Sequence, residues 1–258
     1  MLLDPFHSLD PAQGVKVLPR YLAGPGPVDL RTAWPIPGDQ GWRQHQLEEG
    51  TAYAVSPCLR LWSRFVSEPE TRGQGTWTIG GNRAPFEPTT WQVTFDATTP
   101  VELLGAVHAA LFDLYMEDLR SDQDRLFDDT TAPQEAYVPL LARGWGHDVQ
   151  TDGMQTFLAP ERLGGVRHCY DTRGFDGPIW RAWGGYPSEP HWRARFSLGA
   201  PTTLVAALTA SLISTEPVHR TVKDIPLHTR DHLHVATEAA PQRPVAQPPP
   251  SPKPGRTR

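Results

Sequence analysis

Trp91-x3-Phe95-x4-Pro100-x2-Leu103 is a spacing that occurs twice in this chain, because it returns without a gap as Trp192-x3-Phe196-x4-Pro201-x2-Leu204. Upstream of both blocks, Arg64 and Trp77 have counterparts in Arg167 and Trp180 at a slightly different offset. The offset changes only between blocks of matched residues, as expected when insertions are confined to loops. We therefore predict two tandem copies of one structural unit, a feature that has to be established before any fold is assigned.

Each copy contains short stretches rich in aromatic and β-branched residues, separated by Gly, Pro and Asp, which is typical of an antiparallel meander. In the first copy, Thr99-Pro100-Val101-Glu102 predicts the start of a helix, with the threonine as its cap and the glutamate reaching back to that cap. Apolar residues follow at helical spacing from Leu104 to Leu114. We predict an α+β fold of two tandem units, each an antiparallel β-meander followed by a packed C-terminal α-helix.

Composition divides the chain into five segments. We predict a flexible N-terminal arm over residues 1–17, repeat unit 1 over 18–118 and repeat unit 2 over 134–235. The intervening segment, 119–133, is dominated by acids, and we predict an acidic linker there. Residues 236–258 are rich in Pro and basic overall, and such a segment cannot bury enough apolar surface to fold. We therefore predict a disordered Pro-rich basic tail.

The chain has 258 residues, of which 38% are hydrophobic, and a formal net charge of −5. It has no apolar run long enough to cross a bilayer, and residues 1–5 lack the basic region and apolar stretch of a signal peptide. Its two cysteines, Cys58 and Cys169, form no CxxC pair, which favours reduced thiols. We therefore predict a cytoplasmic protein with no membrane partner.

The best candidate site lies on one strand of the second unit, His191-Trp192-Arg193-Ala194-Arg195-Phe196. Side chains alternate across a strand, so the histidine and both arginines face outward if the tryptophan and phenylalanine face the core. The same reasoning places Arg181 and Trp183 outward on the preceding strand, and Arg167 outward on the strand before that. The predicted site on this outer face comprises Arg167, Arg181, Trp183, His191, Arg193 and Arg195.

This combination of residues predicts nucleic-acid binding. A guanidinium group pairs with phosphate through two hydrogen bonds, and an exposed aromatic ring stacks on bases. We therefore predict a non-catalytic DNA-binding protein in which the four arginines hold phosphates and Trp183 stacks on a base. Unit 1 has Thr78, Gln92 and Thr94 at equivalent positions and retains only Arg64, so we expect the two units to share a core but not a surface.

Three other interpretations stay open from the sequence. The arginine-rich face can be a solvated surface held by salt bridges, without a ligand. A protein-interaction scaffold can use exposed tryptophans and the Pro-rich tail, either with another protein or as a homodimer. The spacing His228-x3-His232-x-His234 supplies donors for a zinc site and hence for a metal-dependent enzyme. We nevertheless expect no catalytic residue, metal or cofactor, because the chain has no P-loop, nucleophile elbow or HExxH motif.

The segment Arg20-Tyr21-Leu22-Ala23-Gly24-Pro25-Gly26 resembles the opening of a tandem family from Streptomyces and related actinomycetes, domain-of-unknown-function family 317. The Ser-Pro-Asp-Tyr motif after which the family is nicknamed corresponds here to Ser56-Pro57-Cys58-Leu59 and to Ala159-Pro160-Glu161. The resemblance covers about residues 18–220 and implies an actinomycete source and a two-domain layout. It implies no activity and no catalytic residue.

Overall fold

The computed structural model describes residues 4–26, 30–36, 40–46, 50–67 and 75–235. It confirms a mixture of helices and antiparallel sheets with two repeated regions, in which strands predominate. The predicted tail at 236–258 lies outside the described residues. Within those residues, no helix is long and apolar enough to cross a membrane.

Two sheets contain the strands of the described residues. In chain order the strands are β1 (Gly14–Leu18), β2 (Arg43–Gln46), β3 (Ala52–Val55), β4 (Leu61–Ser67), β5 (Gly75–Gly81), β6 (Trp91–Asp96), β7 (Gly146–Val149), β8 (Met154–Leu158), β9 (Gly164–Cys169), β10 (Trp180–Tyr186), β11 (Glu189–Phe196), β12 (Val218–Thr221) and β13 (His234–Val235). The α-helices are α1 (Leu30–Ala33), α2 (Val101–Asp118), α3 (Gln134–Ala142) and α4 (Thr202–Leu212). Short 3-10 helices span Arg20–Leu22, Val222–Asp224 and Leu227–His232.

The larger sheet has ten strands in the order β2-β3-β4-β5-β6-β11-β10-β9-β8-β7, and all neighbouring strands are antiparallel. Strands β2 to β6 therefore lie side by side in chain order, as do β7 to β11, and the two sets meet where β6 pairs with β11. At this junction Thr94 lies opposite Arg195, with Val93 opposite Phe196 beside that pair. Because Thr94 and Arg195 are equivalent positions in the repeat, a pseudo-twofold axis passes between them.

Alternation along these strands gives the sheet one apolar face, and the helices cover it. Helix α2 packs against α4, and α4 packs against α3. The rings of Phe95 and Phe196 meet edge to face across the junction, with 6.1 Å between their centroids. One cluster of buried side chains runs without a break through both units. The polar side chains lie on the opposite face of the sheet, which we call the outer face.

Residues 4–17 are packed onto the body of the protein, unlike the flexible arm that we predicted. Strand β1 pairs with β12 on one side and with β13 on the other, which forms the smaller sheet. Phe6, Val15 and Val17 are buried, and the guanidinium of Arg230 lies 5.7 Å from the centre of the Phe6 ring. Local sequence gave no sign of this packing because the partner strands follow α4, at the other end of the chain.

The acidic segment 119–133 also closes part of the core. The indole N–H of Trp91 donates a 2.7 Å hydrogen bond to the carbonyl of Leu126, and Leu126 is itself buried. Asp124 of the same segment forms an ion pair with Arg60 at 2.7 Å. The segment therefore packs against unit 1, and part of its negative charge is neutralised there.

The start of α2 differs from the predicted capping box. No side chain caps this helix, and the Thr99 hydroxyl is buried without a hydrogen-bond partner in the described part of the chain. Glu102 instead accepts hydrogen bonds from the guanidinium of Arg220 in β12, at 2.7 and 2.6 Å. Arg220 is buried, and a buried cation without an anion is strongly destabilising, so the carboxylate pairs with the arginine rather than with a backbone N–H.

His108 of α2 is the centre of a buried polar network beneath unit 1. Its Nδ1–H donates to the carbonyl of Leu104 at 3.1 Å, which leaves Nε2 as the acceptor. The hydroxyl of Ser63 and the indole N–H of Trp34 lie 2.8 and 3.2 Å from Nε2. Burial lowers the pKa of His108 to about 4, so the ring is neutral at pH 7.

This network predicts a loss of stability in acid. The pKa of His108 in the folded protein lies below its ordinary value of 6.5, so its contribution is complete above pH 6.5 and is lost as the pH falls toward 4. We expect about 3 kcal/mol of unfolding free energy to disappear over that range on account of His108. Urea unfolding of the wild type and of His108→Gln across this range tests it. The variant should show a flatter pH dependence, and an unchanged slope would contradict the assignment.

Candidate functional site

A single row of side chains crosses the outer face of the larger sheet. Its members, paired strand by strand, are His45, Tyr53, Arg64, Thr78, Thr94, Arg195, Arg181, Arg167, Thr156 and Asp148. Arg195, Arg181 and Arg167 are consecutive in this row, so each lies directly opposite the next. Residues opposite each other in an antiparallel pair have Cβ atoms about 4.5–5.5 Å apart. Strand pairing therefore places three guanidinium groups next to one another.

These arginines line a groove of about 210 Å³ on the outer face. Arg193 joins them from the next position outward on β11, where it lies opposite Trp183. We call this feature the arginine groove, and its lining residues are Arg167, Arg181, Ala182, Trp183, Pro187, Pro190, Arg193, Ala194 and Arg195. Four of the six predicted site residues are therefore arginines that the fold brings together, and no carboxylate lines the groove.

None of the four arginines forms a salt bridge within the described residues. Arg167 donates one hydrogen bond, from Nε to the hydroxyl of Thr156 at 3.2 Å, and the side chains of Arg181, Arg193 and Arg195 are exposed. Like charges directly opposite each other in a sheet are destabilising. The groove thus concentrates positive charge that the described residues do not neutralise, which is the electrostatic requirement of an anion site.

Trp183 lies on the outer face but does not present its ring to solvent. Only 8% of the residue is exposed, because the ring packs against Gly165 on β9 and the guanidinium of Arg167 lies 5.9 Å from its centre. Its indole N–H is buried with no acceptor in the described part of the chain, which costs about 1–3 kcal/mol unless another group accepts it. The predicted stacking of a base on Trp183 is therefore wrong for this arrangement: the ring forms the floor of the arginine groove.

The packing of Trp183 on glycine has a mirrored counterpart in unit 1. There Trp62 on β4 lies opposite Gly80 on β5 and packs against it. In unit 2 the glycine stands on β9, as Gly165, and the tryptophan on β10, as Trp183. Each unit thus fills the same cross-strand position with one indole ring and one glycine, but from opposite strands. A side chain larger than hydrogen at either glycine would collide with the ring.

His191 is not part of the arginine groove. The register of β10 and β11 shifts between Gly184 and Gly185, and a bulge of this kind leaves a residue unpaired and turns its side chain. The imidazole of His191 instead contacts that of His228, with 5.6 Å between ring centres. Burial, and then the charge of His228, lower the pKa of His191 to about 4. Strict alternation predicted the wrong place for this residue because it assumed a regular strand.

A second cavity, of about 520 Å³, adjoins the arginine groove and shares Arg195 with it. It lies at the junction of β6 and β11, and we call it the junction cleft. Its walls are formed by Thr89, Thr90, Trp91, Gln92, Thr94, Phe175, Asp176, Gly177, Pro178, Arg195, Ser197 and Leu198. The sequence analysis placed Gln92 and Thr94 on a surface of unit 1 outside the predicted binding site, and it overlooked Phe175. An aromatic residue in the turn sequence Gly174-Phe175-Asp176-Gly177-Pro178 was the available signal.

Two of the alternative interpretations can be compared with the structure. In the described part of the chain, no group of three or more His, Cys, Asp or Glu side chains is placed to hold a metal ion. Every tryptophan except the half-buried Trp62 is buried, so the exposed tryptophans that the scaffold interpretation invokes are not available, while the Pro-rich tail that it also invokes lies outside the described residues. Cys58 and Cys169 are free thiols.

Fold and site together define a class: an α+β protein whose two repeats share one sheet and whose second repeat carries an unpaired arginine cluster. Residues 55–116 and 159–218 each match the family SPDY, a domain of unknown function (DUF317). Both ranges hold the last three strands of a meander and the helix that follows. The two matches confirm the resemblance of this chain to a tandem DUF317 family. No curated protein and no solved structure matches the chain.

The motif after which the family is nicknamed forms a hairpin turn in both repeats. In unit 1 the N–H of Leu59 donates to the carbonyl of Ser56, and Leu59 has a positive φ of 59°. In unit 2 the N–H of Arg162 donates to the carbonyl of Ala159, and Arg162 has a φ of 63°. A proline second in such a turn presets the required φ. In this chain the motif therefore has a structural role, which is to turn β3 into β4 and β8 into β9.

The packing of Trp183 predicts a specific coupling with Gly165. We expect Gly165→Ala to lower the free energy of unfolding by about 1–3 kcal/mol, because its methyl group would displace the indole ring. Gly14→Ala is the matched control, since a Cβ there meets no atom within 4 Å. Urea unfolding measures both. The same Gly165→Ala change should cost little in a Trp183→Ala background, and an equal cost in both backgrounds would show that the ring is not responsible.

Proposed function

We propose that this protein binds nucleic acid through the arginine groove of its second repeat. One observation carries the proposal: Arg167, Arg181 and Arg195 lie directly opposite one another on three adjacent strands with no salt-bridge partner in the described residues. A sheet face that only had to be soluble would alternate its charges, as opposite charges across strands are stabilising. An arrangement that is unfavourable by itself becomes favourable when a polyanion binds, because each guanidinium can pair with a phosphate.

The distribution of acids supports this proposal despite the net charge of −5. Asp124 is paired with Arg60, and Asp128 is paired with Arg83 at 2.8 Å, so acids of the segment 119–133 are neutralised beside unit 1. The arginine groove itself contains no carboxylate. Local charge rather than the total governs the approach of an anion at physiological salt, because screening restricts exposed charges to a range of about 8–10 Å.

We also propose that the two repeats have different roles, a structural one for unit 1 and a binding one for unit 2. Each unit, taken as five antiparallel strands followed by a helix, is in this proposal one complete structural repeat. Unit 1 then contributes the sheet edge to which unit 2 is joined, and Thr78 and Thr94 stand where unit 2 has Arg181 and Arg195. The proposed role is binding without a chemical step, since the sequence contains none of the motifs that accompany the common catalytic sites. The proposed location is the cytoplasm.

Fluorescence anisotropy of labelled DNA across a range of salt concentrations tests the proposal. If the four arginines contact phosphates, the logarithm of the binding constant should fall with the logarithm of salt at a slope of about −3 on single strands or −4 on duplex. Arg193→Glu with Arg195→Glu should weaken binding at least about tenfold and reduce that slope by about 2. We expect the double variant to fold normally, because both side chains are exposed.

A matched control is Arg120→Glu with Arg143→Glu, which changes the net charge equally at two exposed arginines outside the groove. The control should bind DNA nearly as well as the wild type. Equal losses in the two double variants would mean that net charge, and not the groove, governs binding. Absence of binding to any DNA or RNA at low salt would overturn the proposal and favour a protein partner.

A further inference from the structure

We propose that the site accepts an unpaired nucleotide, with its phosphate in the arginine groove and its base in the junction cleft. This inference rests on the proposed function and names the form of nucleic acid that the site selects. The two cavities share Arg195, so a ligand that fills both must pass over that residue. Their linings differ in chemistry, and this difference identifies the two parts of the ligand.

The arginine groove suits only the anionic part of the ligand, which is its phosphate. It holds four guanidinium groups and no carboxylate. The buried indole N–H of Trp183, which also belongs to this lining, is a further donor without an acceptor in the described residues. Donors alone, with positive charge and no acceptor side chain, favour a phosphate group, because it accepts hydrogen bonds and is negatively charged whereas a nucleobase is neutral.

The junction cleft has the opposite character. Asp176 places a carboxylate in its lining, which would repel a phosphate, while Gln92 offers both a donor and an acceptor. The side chains of Asp176, Gln92 and Thr94 make no hydrogen bond or ion pair within the described residues, so their hydrogen-bonding capacity is free. Carboxylate and amide side chains are the groups that read the exocyclic amines and ring nitrogens of bases.

Apolar side chains complete the lining of the cleft. Phe175 and Leu198 line it together with Pro178, and Phe175 is held in place because its ring packs on the backbone of Gly177. An aromatic ring beside free hydrogen-bonding groups fits a planar heterocycle, and stacking of this kind contributes about 1–3 kcal/mol per base. A volume of about 520 Å³ is in the usual range of small-ligand sites.

The arrangement selects unpaired nucleotides for a geometric reason. In a duplex the Watson–Crick edge of each base is occupied by its partner and the ring faces are stacked, so neither Asp176 nor Phe175 could reach them. An unpaired base can leave the stack and enter the cleft while its phosphate stays on Arg195. Such a nucleotide can belong to a single strand or can be free, and the chemistry of the site is the same for both.

The test measures binding of three probes to the full chain: a short labelled single strand of mixed sequence, the duplex made from it, and adenosine monophosphate as a competitor. We expect the single strand to bind at least about tenfold more tightly than the duplex, which is the effect of one well-placed contact to a base. Asp176→Ala and Gln92→Ala should each weaken single-strand binding by about tenfold and leave duplex binding unchanged. Asp113→Ala, an exposed carboxylate on α2 outside both cavities, is the control and should change nothing.

The direction in which Asp176→Ala changes the binding affinity distinguishes two roles of its carboxylate. If Asp176 only repels phosphate, Asp176→Ala will strengthen binding of both single strand and duplex, and the inference is overturned while the proposed function stands. Equal affinity for single strand and duplex, unaffected by Gln92→Ala, would likewise overturn the inference and leave the proposed function standing. Failure of every probe to bind would instead remove the proposed function itself. Competition by adenosine monophosphate at concentrations similar to those of the strand would support the inference and identify a free nucleotide as the ligand.

Discussion

The antiparallel pairing of β6 with β11 is the contact on which the rest of the structure depends. It takes up an edge strand of each repeat, and an unpaired edge would otherwise expose a row of backbone hydrogen-bonding groups. It also sets Phe95 against Phe196, so that the buried cores of the two repeats become one. Without it, Arg195 would not lie opposite Thr94, and the arginine groove and the junction cleft would not meet.

The two faces of this sheet are under different physical constraints, which is seen when equivalent residues of the two repeats are compared. The inner face must fit the helices, so Trp91 and Phe95 have counterparts of the same type in Trp192 and Phe196. In the described part of the chain the helices pack on the inner face, so an exposed side chain on the outer face can change at little cost as long as the strands remain paired. The row that reads arginine, threonine, threonine in unit 1 can therefore read three arginines in unit 2 without disturbing the fold.

The alternation of side chains along a strand was enough to assign Arg193 and Arg195 to the outer face, because β11 is regular at those positions. It failed at His191, where the bulge at Gly184 and Gly185 breaks the period of two. It gave the correct face for Trp183 but could not give its exposure, since that depends on a glycine across the strand pair. The capping box failed for a similar reason: Glu102 is held by Arg220, a residue from the far end of the chain.

The sequence alone determined the repeat, the α+β class and the separation of an apolar face from a basic one, because these follow from periodicities that a chain carries locally. The tertiary structure alone decided that the repeats share one sheet, that residues 4–17 are packed and that Phe175 and Gln92 line the same cleft. Each of these depends on which distant segments pair, and pairing is set by the whole fold, since many strands of similar pattern can satisfy the same local rules.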